Sequence, residues 1–303
     1  MNDDKKGAMV GDRKSSWILP ALLSLFAFAA NSLFCRLALI DRDIDPESFT
    51  AIRLLSGATF LLLLVSIRMP GKATGGSWKG GASLFIYAWF FSIAYVELGA
   101  GIGALILFGA VQITMFTYSW LKGERVRTRV LAGMLMAFGG LIILLHPGAT
   151  APELGSSMLM MISGIAWGAY SLIGRGSANP TADTSGNFLR SLPFITCLVW
   201  VALSGDGLHV STAGLTYAVA SGVLASGSGY TIWYGVVKRI SAQHAAILQL
   251  SVPIIASLGA VIFLSEPISL RLVIATTAVL GGVALSLASP RQERIVSAPE
   301  KLR

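Results

Sequence analysis

The chain has 303 residues, of which 54% are hydrophobic and only 13% are charged. A soluble domain carries about twice that share of charge, so the composition argues against a water-soluble enzyme or binding module. The net charge of +8 could suggest nucleic-acid binding. However, the basic residues lie in short gaps between apolar segments, without interleaved aromatics, as topology signals do. We therefore expect a lipid bilayer as the surroundings and no nucleic-acid partner.

Ten apolar segments follow one another along the chain, and most are long enough to cross about 30 Å of hydrocarbon as helices. The first follows a basic stretch and is too long for a signal-peptide core, so we predict a retained helix. Charged residues, prolines and glycines separate the segments, most weakly near Leu98. The predicted helices are 17–40, 46–69, 80–97, 100–121, 129–146, 155–176, 184–203, 213–238, 242–264 and 268–288.

The distribution of basic residues predicts the orientation of the helices. With the N-terminus in the cytoplasm, eighteen Lys and Arg residues fall on the cytoplasmic side, and only Arg42 and Arg271 fall outside. Cytoplasmic loops of membrane proteins carry such an excess. We therefore predict that both tails, residues 1–16 and 289–303, are cytoplasmic.

An internal repeat divides the chain into two units, 17–146 and 155–288. The stretch from Gly123-Glu124 to Gly139-Gly140 matches the stretch from Ser265-Glu266 to Gly281-Gly282 at a constant offset. Each unit contains five helices, so the second must enter the membrane from the opposite side. Inverted repeats of this kind are typical of secondary transporters, whose halves rock around a midplane site. The loss of basic residues from the second copy of the turn fits the inversion.

These motifs resemble the drug/metabolite transporter superfamily with paired EamA domains. The resemblance covers roughly residues 17–288 and is carried by Trp233-Tyr234, Ser241-Ala242, Pro253, Leu264 to Pro267 and Gly281-Gly282. The first copy departs from it by having Val111 where the second has Pro253. Within the superfamily the chain is most similar to YddG-type aromatic amino acid exporters of bacterial inner membranes. The resemblance implies helices 1–4 and 6–9 around a central cavity, with helices 5 and 10 as buttresses.

Eight polar or aromatic residues lie near mid-membrane depth, where a polar group facing lipid is costly. Asparagine and glutamine can bond both the carboxylate and the ammonium of an amino acid. Aromatic walls suit an apolar side chain or an ammonium group. The alternative is that these residues hold helices together and fill the interior. The predicted substrate-binding residues are Asn31, Tyr87, Gln112, Trp167, Tyr170, Tyr230, Trp233 and Gln249.

Five further residues carry structural or gating hypotheses. Arg53 and Arg190, early in helices 2 and 7, could attract a carboxylate, but we favour snorkelling or pairing for arginines near helix ends. Glu124 and Glu266 precede the buttress helices and are predicted to be structural caps of free N–H groups. Pro253 should kink helix 9 beside the cavity and could serve as a gate.

The function predicted from these residues is export of small metabolites, most simply aromatic or neutral amino acids, by alternating access. No Asp or Glu lies near the middle of a predicted helix, so we expect the substrate gradient to drive export, without proton coupling. A multidrug exporter of hydrophobic cations is the alternative. A sugar-phosphate carrier would be expected to have a central Lys or Arg, and no central Lys is present.

An intramembrane enzyme is the alternative from a different class. Ser228 lies between two glycines but misses the spacing of a nucleophile motif, and no histidine lies at comparable depth. Cys35 and Cys197 lie inside apolar segments and are interpreted as small hydrophobic residues. We therefore expect no catalytic residues, no metal, no cofactor and no obligatory protein partner.

Overall fold

A computed structural model describes residues 17–71, 74–123, 128–146, 151–205, 207–240, 242–249 and 251–287 of the chain. These residues form ten helices, which confirms the prediction of an all-α polytopic fold. The first five helices are α1 (Ile18–Ile40), α2 (Pro46–Arg68), α3 (Trp78–Glu97), α4 (Ala100–Leu121) and α5 (Thr128–Leu145). The others are α6 (Leu154–Gly174), α7 (Pro180–Ser204), α8 (Thr212–Val237), α9 (Ala242–Gln249 and Ser251–Leu264) and α10 (Leu270–Leu287).

Equivalent helices of the two repeats begin with the same capping chemistry. The N-cap side chains of α2 and α7 are Asp45 and Asn179, which accept bonds from Ser48 N and Ala182 N, and a proline follows each. Ser77 caps α3 in the same way that Ser211 caps α8. An oxygen at the N-cap satisfies a free backbone N–H, and proline suits the first helical position.

Helix α7 begins at Pro180, four residues before the predicted start at 184, so that boundary was wrong. The cap at Asn179 and the proline after it are start signals that lie within a polar stretch, and the apolar pattern alone misses them. Further along, the helix narrows to a 3₁₀ turn at Leu192–Phe194, around Pro193. Proline lacks the N–H that a regular α-helix would require at this point.

Helix α8 contains a π-helical segment, Ser221–Ser228, between regular helices Thr212–Ala220 and Gly229–Val237. Its residues are mostly small, which permits close approach to neighbouring helices. A Cβ atom on Gly222 would collide with the carbonyl oxygen of Arg53 in α2. The π segment therefore lies directly against α2, and π segments often occur at functional sites.

The surface has the character expected in lipid. By length and apolar composition, five helices (α1, α2, α4, α6 and α7) could each cross a bilayer. Large apolar side chains such as Leu135 and Leu270 are exposed on α5 and α10. Trp78 and Trp120 lie exposed at helix ends, where aromatic residues suit the membrane interface.

Contacts between the two repeats hold the fold together. Helix α6 packs on α3 and α4, α2 on α8, α1 on α9, and α5 on α10. Two glycines lie in these contacts: Gly164 faces the Leu107 carbonyl, and Gly282 faces the Gly133 carbonyl, too closely for any Cβ. Small residues thus allow backbones to approach across the interface between the repeats.

Candidate substrate site

Aromatic side chains from three helices, two of them from the second repeat, meet near the centre of the molecule. The ring centroid of Trp167 (α6) lies 4.9 Å from that of Tyr87 (α3), 4.6 Å from Tyr230 (α8) and 5.4 Å from Tyr170 (α6). All four side chains are buried. We call these four residues the aromatic cluster. Their centroid distances are typical of favourable aromatic pairs.

Phe28 of α1 belongs beside this cluster, although the sequence analysis did not single it out. Its ring contacts Trp167 at 5.2 Å, Tyr230 at 5.9 Å and Trp233 at 5.5 Å between centroids. Phe28 lies three residues before Asn31 and therefore on the same face of α1. That spacing was an available signal, which the search for polar groups passed over.

Arg53 of α2 reaches the aromatic cluster and is fully buried. Its Nη2 donates to the hydroxyls of Tyr87 at 3.1 Å and Tyr230 at 2.5 Å, and its Nε donates to Ser226 Oγ at 2.9 Å. The guanidinium carbon also lies 5.1 Å from the ring centroids of Tyr87 and Phe91. The expectation that Arg53 snorkels or forms an ion pair near a helix end was wrong.

The burial of Arg53 follows from its position and from α8. It is the eighth residue of α2, about 10 Å from the helix start. Gly222 lets the π segment lie against α2, and Ser226 and Tyr230 of α8 then bond the guanidinium in the interior.

Asn31 connects α1 to the same network. Its Nδ2 donates to the Tyr87 hydroxyl at 3.1 Å, and its Oδ1 accepts from Ser221 Oγ at 2.6 Å. The Tyr87 hydroxyl also accepts from Tyr230 at 3.0 Å. Asparagine, arginine and tyrosine groups from α1, α2, α3 and α8 thus share one buried hydrogen-bond network.

Two further predicted residues lie at the edge of the cluster. Gln249 Oε1 accepts from Trp167 Nε1 at 2.6 Å, and its Nε2 donates to the Ala245 carbonyl at 3.2 Å. Trp233 contacts Phe28 and donates to Ser171 Oγ at 3.3 Å. Seven of the eight predicted residues are therefore linked, directly or through Phe28, and their binding of substrate stays a prediction.

Gln112 and Pro253 stand apart from this network. Gln112 is buried in α4, and its Oε1 has no hydrogen-bond partner among the described residues. Pro253 lies in α9, within the described stretch Ser251–Leu264. Its role as a kink and gate stays a prediction.

One end of the molecule contains a cavity of about 200 Å³. We call it the Asp183 end. Here Gly76 N donates to Asp183 Oδ1 at 2.9 Å, and Ser77 N donates to Asn187 Oδ1 at 2.8 Å, which joins the two repeats. The Tyr234 ring lines the cavity and lies 4.9 Å from Tyr170 of the aromatic cluster. The cavity lining consists of Gly76, Ser77, Ile173, Gly176, Ser177, Asp183, Asn187 and Tyr234.

Arg190 lies near this end and differs from Arg53. It is only partly buried, and its Nη1 donates to the carbonyl oxygens of Gly75 at 2.6 Å and Gly186 at 3.0 Å. The two arginines that occupy similar places in the sequence repeat therefore have different surroundings. Arg190 ties the α2–α3 loop to α7.

The opposite end, which we call the Glu266 end, is held by an ion pair. Arg36 Nε lies 3.3 Å from Glu266 Oε1, and Arg36 Nη1 donates to the carbonyls of Tyr95 and Val96. Glu266 Oε2 accepts from Ala100 N at 2.9 Å, at the start of α4. Glu266 thus bonds a helix start in the other repeat, whereas we expected it to serve α10, which follows it. Its counterpart Glu124 lies outside the described residues.

Two loops seal the same end. Residues Ile44 and Val210 form an isolated antiparallel bridge. Ser211 N donates to the Asp43 carbonyl at 2.7 Å, and Asp45 N donates to the His209 carbonyl at 3.1 Å. The loop before α2 is therefore bonded to the loop before α8, which again joins the two repeats.

Comparison with known proteins identifies the family. The model of the EamA-like transporter family matches residues 15–146 and 155–288. The chain belongs to this family. The two matched stretches correspond to the two units of five helices. Members of the EamA-like family are transporters, so the family supports a non-enzymatic role, a membrane setting and a small-molecule substrate.

Relatives of this EamA-like chain span nearly its whole length. It is 51% identical over 284 residues to an uncharacterized protein of Pseudomonas aeruginosa, covering 93% of this chain and 97% of that one. It is 26% identical to the aromatic amino acid exporter YddG of Ancylobacter novellus, covering 87% and 96%. A probable amino-acid metabolite efflux pump of Salmonella typhimurium is 20% identical, covering 69% and 74%.

A solved crystal structure shows the same fold. Its chain is 21% identical to this one, with a TM-score of 0.62, and the match covers 87% of this chain and 97% of that chain. The order and packing of the ten helices are therefore those of a known architecture.

Proposed function

We propose that this EamA-like transporter exports aromatic or neutral amino acids by alternating access. The observation that carries the proposal is the aromatic cluster, bonded to the neutral amides of Asn31 and Gln249. Such a site offers ring faces for an apolar side chain and amide groups for a zwitterion. A relative named as an aromatic amino acid exporter and one named as a probable amino-acid metabolite efflux pump support the same substrate class.

The two ends of the molecule support the alternating mechanism. Residues of both repeats meet at the Glu266 end and at the Asp183 end, and the aromatic cluster lies between them. Inverted-repeat transporters expose such a midplane site to one side at a time. We propose a bacterial inner-membrane location in which the Asp183 end and both chain termini face the cytoplasm, in keeping with the excess of basic residues on that side.

Export of hydrophobic cations is the second candidate, because aromatic rings also attract cations. Arg53 disfavours it, since its buried positive charge lies against Tyr87 and Tyr230 and would repel a cationic substrate. The described residues in contact with this guanidinium include no carboxylate.

The test is counterflow in proteoliposomes that contain the purified protein. Vesicles loaded with unlabelled phenylalanine, a paraquat-like dication or a nucleoside would be offered the matching labelled compound. We expect labelled phenylalanine and other neutral amino acids to accumulate transiently, and the dication and nucleoside to remain outside. Counterflow of the dication without any amino acid would refute the proposed substrate class and leave the family assignment intact.

A further inference from the structure

Arg53 is a buried cation, and no anion lies beside it among the residues that the structure describes. Among the described residues the recorded ion pair is that of Arg36 and Glu266, at one end of the molecule. The ionisable groups that act on Arg53 are Tyr230, Tyr87 and Cys35, which are ordinarily neutral at pH 7. Within the described part of the chain, a full positive charge therefore lies in the protein interior against neutral groups.

The guanidinium also has unused hydrogen-bond donors. Its Nε and Nη2 are bonded to Ser226, Tyr87 and Tyr230, but Nη1 is buried and has no hydrogen-bond partner in the described ranges of the chain. An unpaired charge within a membrane protein is costly, and such residues generally mark substrate pathways. Three hydroxyl groups hold the guanidinium in place and leave its charge uncompensated.

Arg190 shows what a structural arginine looks like in the same fold. It lies early in α7 as Arg53 lies early in α2, but its Nη1 donates to two backbone carbonyls and its side chain is only partly buried. An arginine at this place in the repeat can thus join a loop to its own helix without deep burial of the guanidinium. The difference suggests that Arg53 is kept for a partner that arrives from outside the chain.

We propose that Arg53 Nη1 is the carboxylate-binding group of the transport site, an inference that rests on the proposed amino acid substrate. The substrate's carboxylate supplies the missing negative charge, and its apolar side chain packs against the aromatic cluster. Arginine suits this role because its planar donors bind carboxylates strongly. The substrate class is then narrower than neutral metabolites: a free carboxylate is required, and an ammonium group alone is insufficient.

The route to this group begins at the Asp183 end. The cavity there is lined by Tyr234, whose ring contacts Tyr170, and the Tyr170 ring lies 6.1 Å from that of Tyr230. The Tyr230 hydroxyl is bonded to Arg53. A carboxylate entering the cavity thus passes three tyrosines before it meets the guanidinium, and movement of these rings would open the path.

The test compares three ligands that share a phenyl ring: phenylalanine, 3-phenylpropionate, which lacks the ammonium, and phenethylamine, which lacks the carboxylate. Binding is measured as a rise in melting temperature of the detergent-purified full chain, titrated to obtain Kd. Wild-type protein should bind the two carboxylates and not phenethylamine. Arg53→Gln should weaken binding of both carboxylates by about 10- to 100-fold, as expected for loss of a charged hydrogen bond.

The control is Arg68→Gln, which removes a positive charge from the exposed end of the same helix and should leave all three Kd values unchanged. Arg53→Lys keeps the charge without the planar donors, and should retain carboxylate binding about tenfold weaker than wild type. If Arg53→Gln does not yield a monodisperse protein, the deciding measurement is the Kd of Arg53→Lys for the carboxylates relative to that of the wild type.

The inference is overturned if Arg53→Gln, or Arg53→Lys in its place, binds 3-phenylpropionate as tightly as wild type. It is equally overturned if wild type binds phenethylamine as well as the carboxylates, or binds neither carboxylate. The proposed function fails separately, when no amino acid shows counterflow. Phenylalanine counterflow that Arg53→Gln leaves unchanged would refute the role of Arg53 and preserve the proposed function.

Discussion

The two ends of the transporter close with different chemistry. At the Glu266 end, a partly buried ion pair with Arg36 and a bridge between two loops leave the repeats tightly joined. At the Asp183 end, hydrogen bonds from Gly76 and Ser77 join the repeats around a cavity. The repeats are thus joined at both ends, and the described residues line a cavity at the Asp183 end, although the two ends are built from equivalent helices.

The difference shows how an inverted repeat becomes directional. Asp45 caps α2 and also accepts from His209 N, so its carboxylate lies at the helix start and ties down a loop. In α7 the cap is the neutral Asn179, and the carboxylate of Asp183 lies one turn further in, where it lines the cavity. In these two equivalent helices, the carboxylate of Asp45 therefore bonds a loop at the Glu266 end, whereas the carboxylate of Asp183 lines the cavity at the other end.

The largest effect should come from removing the ion pair at the Glu266 end. Cys35, next to Arg36 in α1, is fully buried and can report opening. In a Cys197→Ser background, Glu266→Ala should make Cys35 react with a small maleimide at least about tenfold faster, because Arg36 loses its charged partner and α4 loses a cap. Labelling is followed by mass spectrometry.

The control for this change is Glu153→Ala, which removes an exposed carboxylate that caps α6 within one repeat. Its Cys35 labelling rate should match the parent. Equal rates in the Glu266 and Glu153 variants would mean that the ion pair does not keep this end closed.

A smaller effect is expected from wedging each end apart with a single methyl group. A Cβ on Gly214 would lie 2.7 Å from Ile44 Cβ, between the sealing loops, whereas a Cβ on Gly186 would collide with the Gly75 carbonyl at the Asp183 end. Gly214→Ala should raise Cys35 labelling several-fold, and Gly186→Ala should not. Equal rises in both variants would contradict the assignment of Cys35 to one end.

A change in the centre should alter stability without favouring either end. Gln249→Leu leaves the Trp167 N–H buried without its 2.6 Å acceptor, which should cost about 1–3 kcal/mol. We expect a lower melting temperature and weaker phenylalanine binding, with Cys35 labelling unchanged. If Gln249→Leu has the melting temperature and the phenylalanine affinity of the wild type, Gln249 is not part of the proposed site.

The smallest expected effect is that of an imposed pH gradient. The described Asp and Glu residues lie at helix ends or loops, and the central network consists of Arg, Tyr, Asn, Gln and Trp groups. Phenylalanine counterflow should therefore proceed at the same rate with and without the gradient. Strict dependence on the gradient would show that a proton is carried by a group at one of the two ends.

Much of the fold could be predicted from sequence because lipid imposes it. Ten helices were predicted from apolar segments that are long enough to span a membrane and are bounded by glycines and charged residues. The motif that recurs around Glu124 and Glu266 indicated the repeat. Capping signals around Asn179 were available but outweighed by the apolar pattern, which misplaced the start of α7.

The site was predicted in part. Depth along each helix identified the residues of the aromatic cluster, because polar and aromatic groups at that depth rarely face lipid. Arg53 was misjudged because its burial depends on Ser226 and Tyr230, more than 170 positions away in sequence. The partner of Glu266 likewise lies in the other repeat. Such contacts follow from the packing of the repeats, which local patterns do not encode.

Alternate opening of the two ends is tested most directly by cross-linking each in turn. In a Cys35→Ala, Cys197→Ala background, Asp43→Cys with Ser211→Cys would lock the Glu266 end, and Ser77→Cys with Asn187→Cys would lock the Asp183 end. Each pair replaces residues that are bonded between the repeats. We predict that either disulfide alone stops phenylalanine counterflow and that reduction restores it. Counterflow at the parent rate in either variant, with its cross-link verified, would contradict the mechanism.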